Sequence, residues 1–441
     1  MSRIQTKAWN RVLFACCLLP VAATAWMLLH YATNIPKWDD YDILTFFLKW
    51  QKRQGIGETS DLLFTQVNEH RSVWHKLVLL TTTLFTGQVN FRTLIWIGDF
   101  GLVLLCAMLA WSQREALHRG WMALPIFLLT LQPQHHENLL LSEGAMANHF
   151  VMVFSLLTLL LIAQGGKRAF VLGLCSVVLC TYTNANGMIT FAPLFAHLAL
   201  QRQWKRLGIS AVVATLTLGW YFKGYEQPPA HPSMLDSLLK YPVETLLHYL
   251  SFTGSFLQIS NTFAMVTGAL LSIALGVLLF RFKLHRHHPA LFYFLCFLHF
   301  TAMVTALGRA GFGHEQAFAP RYKVYSVLIA ACTLLAFLRL ADSKRWFIGL
   351  WSASMAGIAA FLFWAWTQPF AAMDAEKATC TQGFTAWLQR NPDLQFHEGM
   401  DNSGLFYYVD DYKDKPFRTL PDALAAGIYS LPDSTQYTVL P

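Results

Sequence analysis

The stretch VLFACCLLPVAATAWMLLHYATNIPKWDDYD, residues 12–42, is apolar from Val12 to Tyr31 and then sets Asp39, Asp40 and Asp42 within four positions. An uncharged run of about 20 residues is long enough to cross a ~30 Å hydrocarbon core as a helix. Runs of this kind recur as far as about residue 367. Of the 441 residues, 55% are hydrophobic and only 13% charged, too little charge to cover a soluble chain of this length. The composition predicts an all-α polytopic membrane protein seated in a lipid bilayer. The segment before the first run, MSRIQTKAWNR, is basic. The run itself is long for a secretory signal and has no convincing small-x-small cleavage site, which predicts an uncleaved first helix.

Working outward from this helix, eleven spans are expected near 11–31, 93–112, 121–133, 148–164, 169–183, 187–201, 208–223, 262–281, 290–307, 323–340 and 346–367. With the N-terminus cytoplasmic, every inner loop then carries at least two bases, as in Arg114 with Arg119, Lys167-Arg168 and Lys344-Arg345. That distribution satisfies the positive-inside rule. The net charge of +8 therefore reads as loop charge and not as a nucleic-acid surface. About ten of the 25 acids fall in the last 70 or so residues. Seven of the eight cysteines lie in apolar runs, which predicts packing residues and no disulfide framework.

The outer side receives the remainder. Residues 32–92 make a first outer loop too long for a connector, in which DILTFFLKWQKR (42–53) reads as an amphipathic surface helix. SVWHKLVLLTTTLF (72–85) is apolar but short and reads as partly re-entrant. The expected organisation is a membrane domain over 1–367 and an acidic outer extension over 368–441, either a small ordered domain or a packed tail.

Five polar blocks gather on that outer side. A carboxylate at mid-membrane costs ~2.5–3.5 kcal/mol on insertion scales, so the acids of WDDYD are expected to face water or a cavity. Asp42 could cap the helix that follows, whereas Asp39 and Asp40 together suit a general base, or more weakly a divalent cation. VNEHRSVWHK brings Glu69, His70 and Arg71 together as acid/base and phosphate-contacting groups. QPQHHENLLLSEG places His136 and Glu137 at a span end. Adjacent histidines point apart on a helix and no zinc spacing occurs, so no zinc site is expected. TYTNANG sets Asn186 at a helix cap. GRAGFGHEQAFAPRYKVYS puts Arg309, His314, Arg321 and Tyr322 at the mouths of two late helices. Guanidinium groups at such an interface suit phosphate, and bases on the outer side run against the topological rule.

The pieces DDYD, NEHRSVWHKLVLL, QHHEN, NANGMITFAPL and GRAGFGHEQAFAPRYKVYSVL run from residue 38 to about 330. With an inward N-terminus and a long acidic first loop, they make the chain similar to the GT-C class of membrane glycosyltransferases. The closer likeness is to bacterial members that use polyprenyl-phosphate-linked sugars at the periplasmic face of the inner membrane. The resemblance implies an inverting sugar transfer, arabinofuranose being one candidate, to a glycan or protein acceptor such as pilin, with no resident cofactor. It also implies an acid of the first loop as catalytic base, Asp40 in preference to Asp39, with Glu69 and His70 in the acceptor pocket and Arg309 or Arg321 on the donor phosphate. The NEHR and PRYK blocks are not general to that class. Two other readings stay open: a ligase or polymerase of lipid-linked envelope glycans, and a transporter or flippase, which should carry acids deeper in its spans than the lone Asp99.

Overall fold

A computed structural model describes residues 3–116, 118–227, 233–389 and 415–430. Among these the chain is helical throughout, with only two isolated bridges, Val67 with His70 and Val89 with Tyr429. Seven helices are long and apolar enough to cross a membrane: Ala8–Tyr31, Phe91–Ser112, Ser142–Gln164, Asn261–Phe280, Pro289–Phe312, Pro320–Leu340 and Lys344–Gln382. The multi-pass, all-helical expectation therefore stands, with seven such helices against the eleven expected.

The difference has a geometric reason. Helices do form at the other four places, as Arg119–Thr130, Lys167–Thr181, Phe191–Leu200 and Trp204–Phe222. The first three have 12, 15 and 10 residues. At 1.5 Å per residue they reach about 15–23 Å, short of a ~30 Å core. The fourth opens with Lys205 and Arg206, which interrupt its apolar run. The segment expected to be re-entrant is the 14-residue helix Val73–Thr86, likewise short, closed by Gly87 at φ 73°. That left-handed C-terminal position favours glycine.

At the expected boundary, 367/368, one helix gives way to another across a single bend residue. Lys344–Thr367 continues across Gln368 into Pro369–Gln389. The combined span of 39 residues could extend up to about 58 Å, well past the hydrocarbon. Its far end packs on the first outer loop: Met373, Cys380 and Phe384 share the main core with Tyr31, Ile35 and Tyr41. Tyr31 donates to Asp374 at 2.8 Å, Lys37 pairs with Glu376 at 2.8 Å, and Lys377 donates to the His30 carbonyl at 2.7 Å. The later helix Lys415–Ala425 buries Leu420 and Ala423 in the same core. Thr419 bonds Thr45 at 3.0 Å, the Tyr429 hydroxyl donates to the Asn34 carbonyl at 2.5 Å, and Val89 N–H donates to Ile428 O at 2.7 Å. The described part of the extension is thus a packed tail; LFYYVDDY (405–412) lies outside the described residues.

The helix Asp40–Lys52 is amphipathic, as its pattern predicts. Tyr41, Ile43, Leu44, Phe46, Phe47 and Leu48 are buried, and Lys49 and Lys52 are exposed. Elsewhere two helices cross on glycine. A Cβ on Gly254 would collide with Ala264 O and one on Gly268 with Leu250 O, so Pro242–Gly254 and Asn261–Phe280 meet backbone to backbone.

Candidate active site

The acid block begins at a tight turn. Trp38 adopts φ 48°, after which Asp39 stands as N-cap of the helix Asp40–Lys52. Asp39 and not Asp42 therefore occupies the cap, and Asp42 lies in the first helical turn, half-buried. Carboxylates at that end are favoured by the helix dipole. Trp38, Asn68 and Ser72 are three of the five non-glycine residues with positive φ among those described, and all three lie in the acid and NEHR blocks. Strain of this kind persists only where the surroundings over-determine the backbone.

Asp40 is 1% exposed and fully engaged. Its Oδ1 accepts from Ser142 Oγ at 2.5 Å and from Glu143 N–H at 3.3 Å, and its Oδ2 accepts from Lys37 N–H at 3.2 Å. Burial raises its carboxyl to about 6, while the Ser142 hydrogen bond, His75 and Lys37 hold it from going higher. Asp39 differs. It is half-buried, and among the described residues no hydrogen bond is found on its carboxylate. Burial, then Glu143, Asp42 and Asp40, push it up to about 8, against the pull of Arg321. Two adjacent acids thus differ in kind: Asp40 is an anchored anion and Asp39 a reachable group poised near neutrality.

Behind them lies a buried chain. His75 Nδ1 is 2.5 Å from Glu143 Oε2, Ser72 Oγ donates to Glu143 Oε1 at 2.6 Å, and His75 Nε2 is 3.5 Å from Ser142 Oγ. Ser142, His75, Glu143 and Ser72 are each 4% exposed or less. The serine–histidine–glutamate order looks like a nucleophilic triad, but the geometry opposes that role. The Ser142 hydroxyl hydrogen goes to Asp40, and no face of Ser142 reaches solvent.

The five sequence blocks converge here. Asn138 Nδ2 donates to Arg321 O at 2.7 Å and Asn148 Nδ2 to Asn138 Oδ1 at 2.9 Å. The Tyr325 hydroxyl donates to Asn148 Oδ1 at 2.9 Å, and Asn186 Nδ2 donates to that hydroxyl at 3.1 Å. Val73 N–H donates to Tyr182 O at 2.8 Å, and His70 Nδ1 accepts Ala185 N–H at 3.3 Å. The irregular π turn Ala145–His149, which carries Asn148, fits because Gly98 lets the neighbouring backbone approach; a Cβ there would lie 2.9 Å from Ala145 C.

The other expected residues divide by partner. Arg321 is 44% exposed and 3.6 Å from Glu137, whose carboxyl is raised by burial against the pull of that same arginine. Lys323, two residues on in the same helical turn, also interacts with Glu137. His136 is buried beside them and its ring is held below the usual range by that burial. Arg309 is committed to Glu69 at 2.7 Å. His314 meets Glu244 through its backbone N–H and through Nδ1, the latter at 2.6 Å. Tyr322 packs on Phe252 with centroids 5.1 Å apart.

Arg71 is committed to backbone carbonyls. Its guanidinium donates to the carbonyls of Tyr221, Lys223 and Phe64 at 2.6–3.1 Å, tying off the C-terminal end of the helix Trp204–Phe222. Lys76 does the same for the helix Gly55–Leu63, donating to Leu62, Leu63 and Thr65 carbonyls.

Sequence reading passed over Ser142, Lys37, Glu376 and Asn148 as site-forming groups. Glu143 and His75 lie inside the quoted QPQHHENLLLSEG and VNEHRSVWHK blocks without an assigned role, and a lone serine in LLLSEG carries no signal. Among the described residues no cluster of three or more His, Cys, Asp or Glu could hold a metal ion. Comparison of the chain with protein-family models, curated proteins and solved structures found no match.

Proposed function

We propose that the protein is a GT-C-like glycosyltransferase. It moves a sugar from a polyprenyl-phosphate donor to a glycan or protein hydroxyl at the periplasmic face of a bacterial inner membrane. The observation that carries this reading is the contrast within the acid pair. Asp39 is reachable, unanchored and poised near neutrality, and Arg321 acts on it from the mouth of another helix. A base of that strength suits the deprotonation of an acceptor hydroxyl.

In the proposed step the acceptor oxygen attacks the anomeric carbon while Asp39 takes its proton. The bond from that carbon to the phosphate oxygen breaks, the configuration inverts, and the electron pair leaves on the lipid phosphate. Arg321 offsets the charge that develops there. Arg309 is assigned to holding the NEHR block in place, because its 2.7 Å pair with Glu69 is tight and partly buried, whereas Arg321 is more exposed and lies 3.6 Å from Glu137. Asp40 is assigned to anchoring the loop. The base is thus moved from Asp40, which the sequence resemblance favoured, to Asp39.

The test is release of free polyprenyl phosphate by protein in lipid nanodiscs supplied with polyprenyl-phosphate pentose or hexose and an envelope-glycan acceptor. The reading expects chain-dependent release that Asp39→Asn lowers at least 100-fold. Movement of intact lipid-linked sugar across liposomes without bond cleavage would replace it by the flippase reading.

A further inference from the structure

The buried chain behind the acids is not used by the transfer step. Hydrogen-bond geometry gives its order. Asp40 Oδ1, 2.5 Å from Ser142 Oγ, takes the hydroxyl hydrogen, because a carboxylate has none to give. Ser142 Oγ is then left with lone pairs toward His75 Nε2 at 3.5 Å. On the other side Glu143 accepts from Ser72 at 2.6 Å and faces His75 Nδ1 at 2.5 Å. The His75 ring therefore lies between Glu143 on its Nδ1 side and Ser142 on its Nε2 side. The sequence of groups is carboxylate, hydroxyl, imidazole, carboxylate, hydroxyl.

Among the described residues the neighbouring ammonium groups act on the cluster only through space, with their hydrogen bonds turned elsewhere. Lys76, the next residue on the helix, points its ammonium at the carbonyls of Leu62, Leu63 and Thr65. Lys37 gives Asp40 its backbone N–H but turns its ammonium to Glu376 at 2.8 Å. Asp42 faces the cluster from the acid helix, His70 acts on Glu143, and Arg321 acts on Asp39 from its own helix.

We propose that the Ser142–His75–Glu143 chain is a positioning device for the acid loop: it locks Asp40 as the anchoring anion and leaves Asp39 as the acid of the pair that exchanges a proton with substrate. The substrate role rests on the glycosyltransferase reading; the division of labour between the acids does not. Ser142 and His75 touch no reacting atom, so they are positioning residues. Loss of either strips Asp40 of a donor or of the nearby ring that lowers its carboxyl, and Asp40 then takes up a proton that it does not hold in the intact site.

The experiment is infrared difference spectroscopy of the full chain in nanodiscs between pH 7.5 and pH 10, a range that starts above the Asp40 carboxyl at about 6 and reads protonated carboxyls whether or not they are reachable. The unmutated protein is expected to lose one protonated-carboxyl band on raising the pH, absent in Asp39→Asn and retained in Asp40→Asn. Ser142→Ala and His75→Gln are expected to add a second band that a further Asp40→Asn removes, while Ser142→Thr restores the single-band spectrum. Ser142→Thr keeps the hydroxyl and guards against a folding defect in the alanine variant, and a retained cooperative melt qualifies each protein. The proposal is overturned if the unmutated band belongs to Asp40, or if folded Ser142→Ala and His75→Gln give the unmutated spectrum. Failure of sugar transfer with these spectra intact would instead reject the glycosyltransferase reading alone.

Discussion

Replacing Asp39 by asparagine should remove turnover and stabilise the fold in the same stroke. Burial and the neighbouring Glu143, Asp42 and Asp40 raise the Asp39 carboxyl from 3.8 to about 8. The folded value lies above the unfolded one, so the stability tied to this group is intact below about pH 4 and is lost as pH rises through about 8. Asparagine carries no such loss. The melting temperature of Asp39→Asn should therefore match the unmutated protein near pH 4, pull ahead between pH 5 and 8, and keep a constant lead above that. A lead of about 2 °C or more is expected, given that each kcal/mol moves a larger domain by about 2–4 °C. At pH 7 only about one tenth of Asp39 is ionised if it titrates near 8, so turnover should climb almost tenfold per unit below that pH. Loss of a general base typically costs about 10²–10⁴ in rate. Because Arg321 opposes the shift, Arg321→Gln should move the rising limb to higher pH. The assays are melting curves from pH 4 to 9 in nanodiscs and initial rates of polyprenyl-phosphate release over the same range. An asparagine variant that turns over within threefold of the unmutated protein, or that melts lower at every pH, would refute the reasoning.

Other replacements should act on the frame. Asp40→Asn turns an NH2 group toward the Ser142 and Glu143 donors or toward the Lys37 N–H, a donor–donor clash that outweighs the relief of removing a carboxyl raised by burial, and a drop in stability of about 1–3 kcal/mol is expected in denaturant titrations. Arg71→Met leaves the Tyr221, Lys223 and Phe64 carbonyls without their donor, with an expected loss of about 2–4 kcal/mol and no change in salt-dependent phosphate binding. Gly254→Val forces apart two helix backbones that meet at Ala264 and Gly268, and a loss above about 2 kcal/mol should show as a lower melting temperature.

The membrane class was legible from the lengths and repetition of the apolar runs, because hydrocarbon thickness sets a simple rule. The number of crossing helices was not, since Arg119–Thr130 and Lys167–Thr181 are as apolar as many spans and differ only in length. The long last span was hidden for a related reason. Polarity rises after Thr367, yet Pro369 begins a new helical turn where its missing N–H costs nothing. At the site, five polar blocks could be seen in one dimension, and the asparagine and tyrosine bonds join them in three. What no pattern revealed was which acid is anchored. That depends on Ser142, about 100 residues away, whose single hydroxyl separates Asp40 from Asp39. Arginine roles were equally opaque: Arg71, Arg309 and Arg321 look alike in sequence, and only their partners, carbonyls, Glu69 and the neighbourhood of Asp39, tell them apart.

The most direct test of the central claim is the sugar composition of envelope glycans and glycoproteins in cells lacking the protein and in cells supplied with the unmutated chain, Asp39→Asn or Asp40→Asn at matched membrane levels. The account predicts one sugar that appears with the unmutated chain, disappears with Asp39→Asn, and persists at reduced level with Asp40→Asn. An identical composition with and without the unmutated chain, or full decoration by Asp39→Asn, would contradict it.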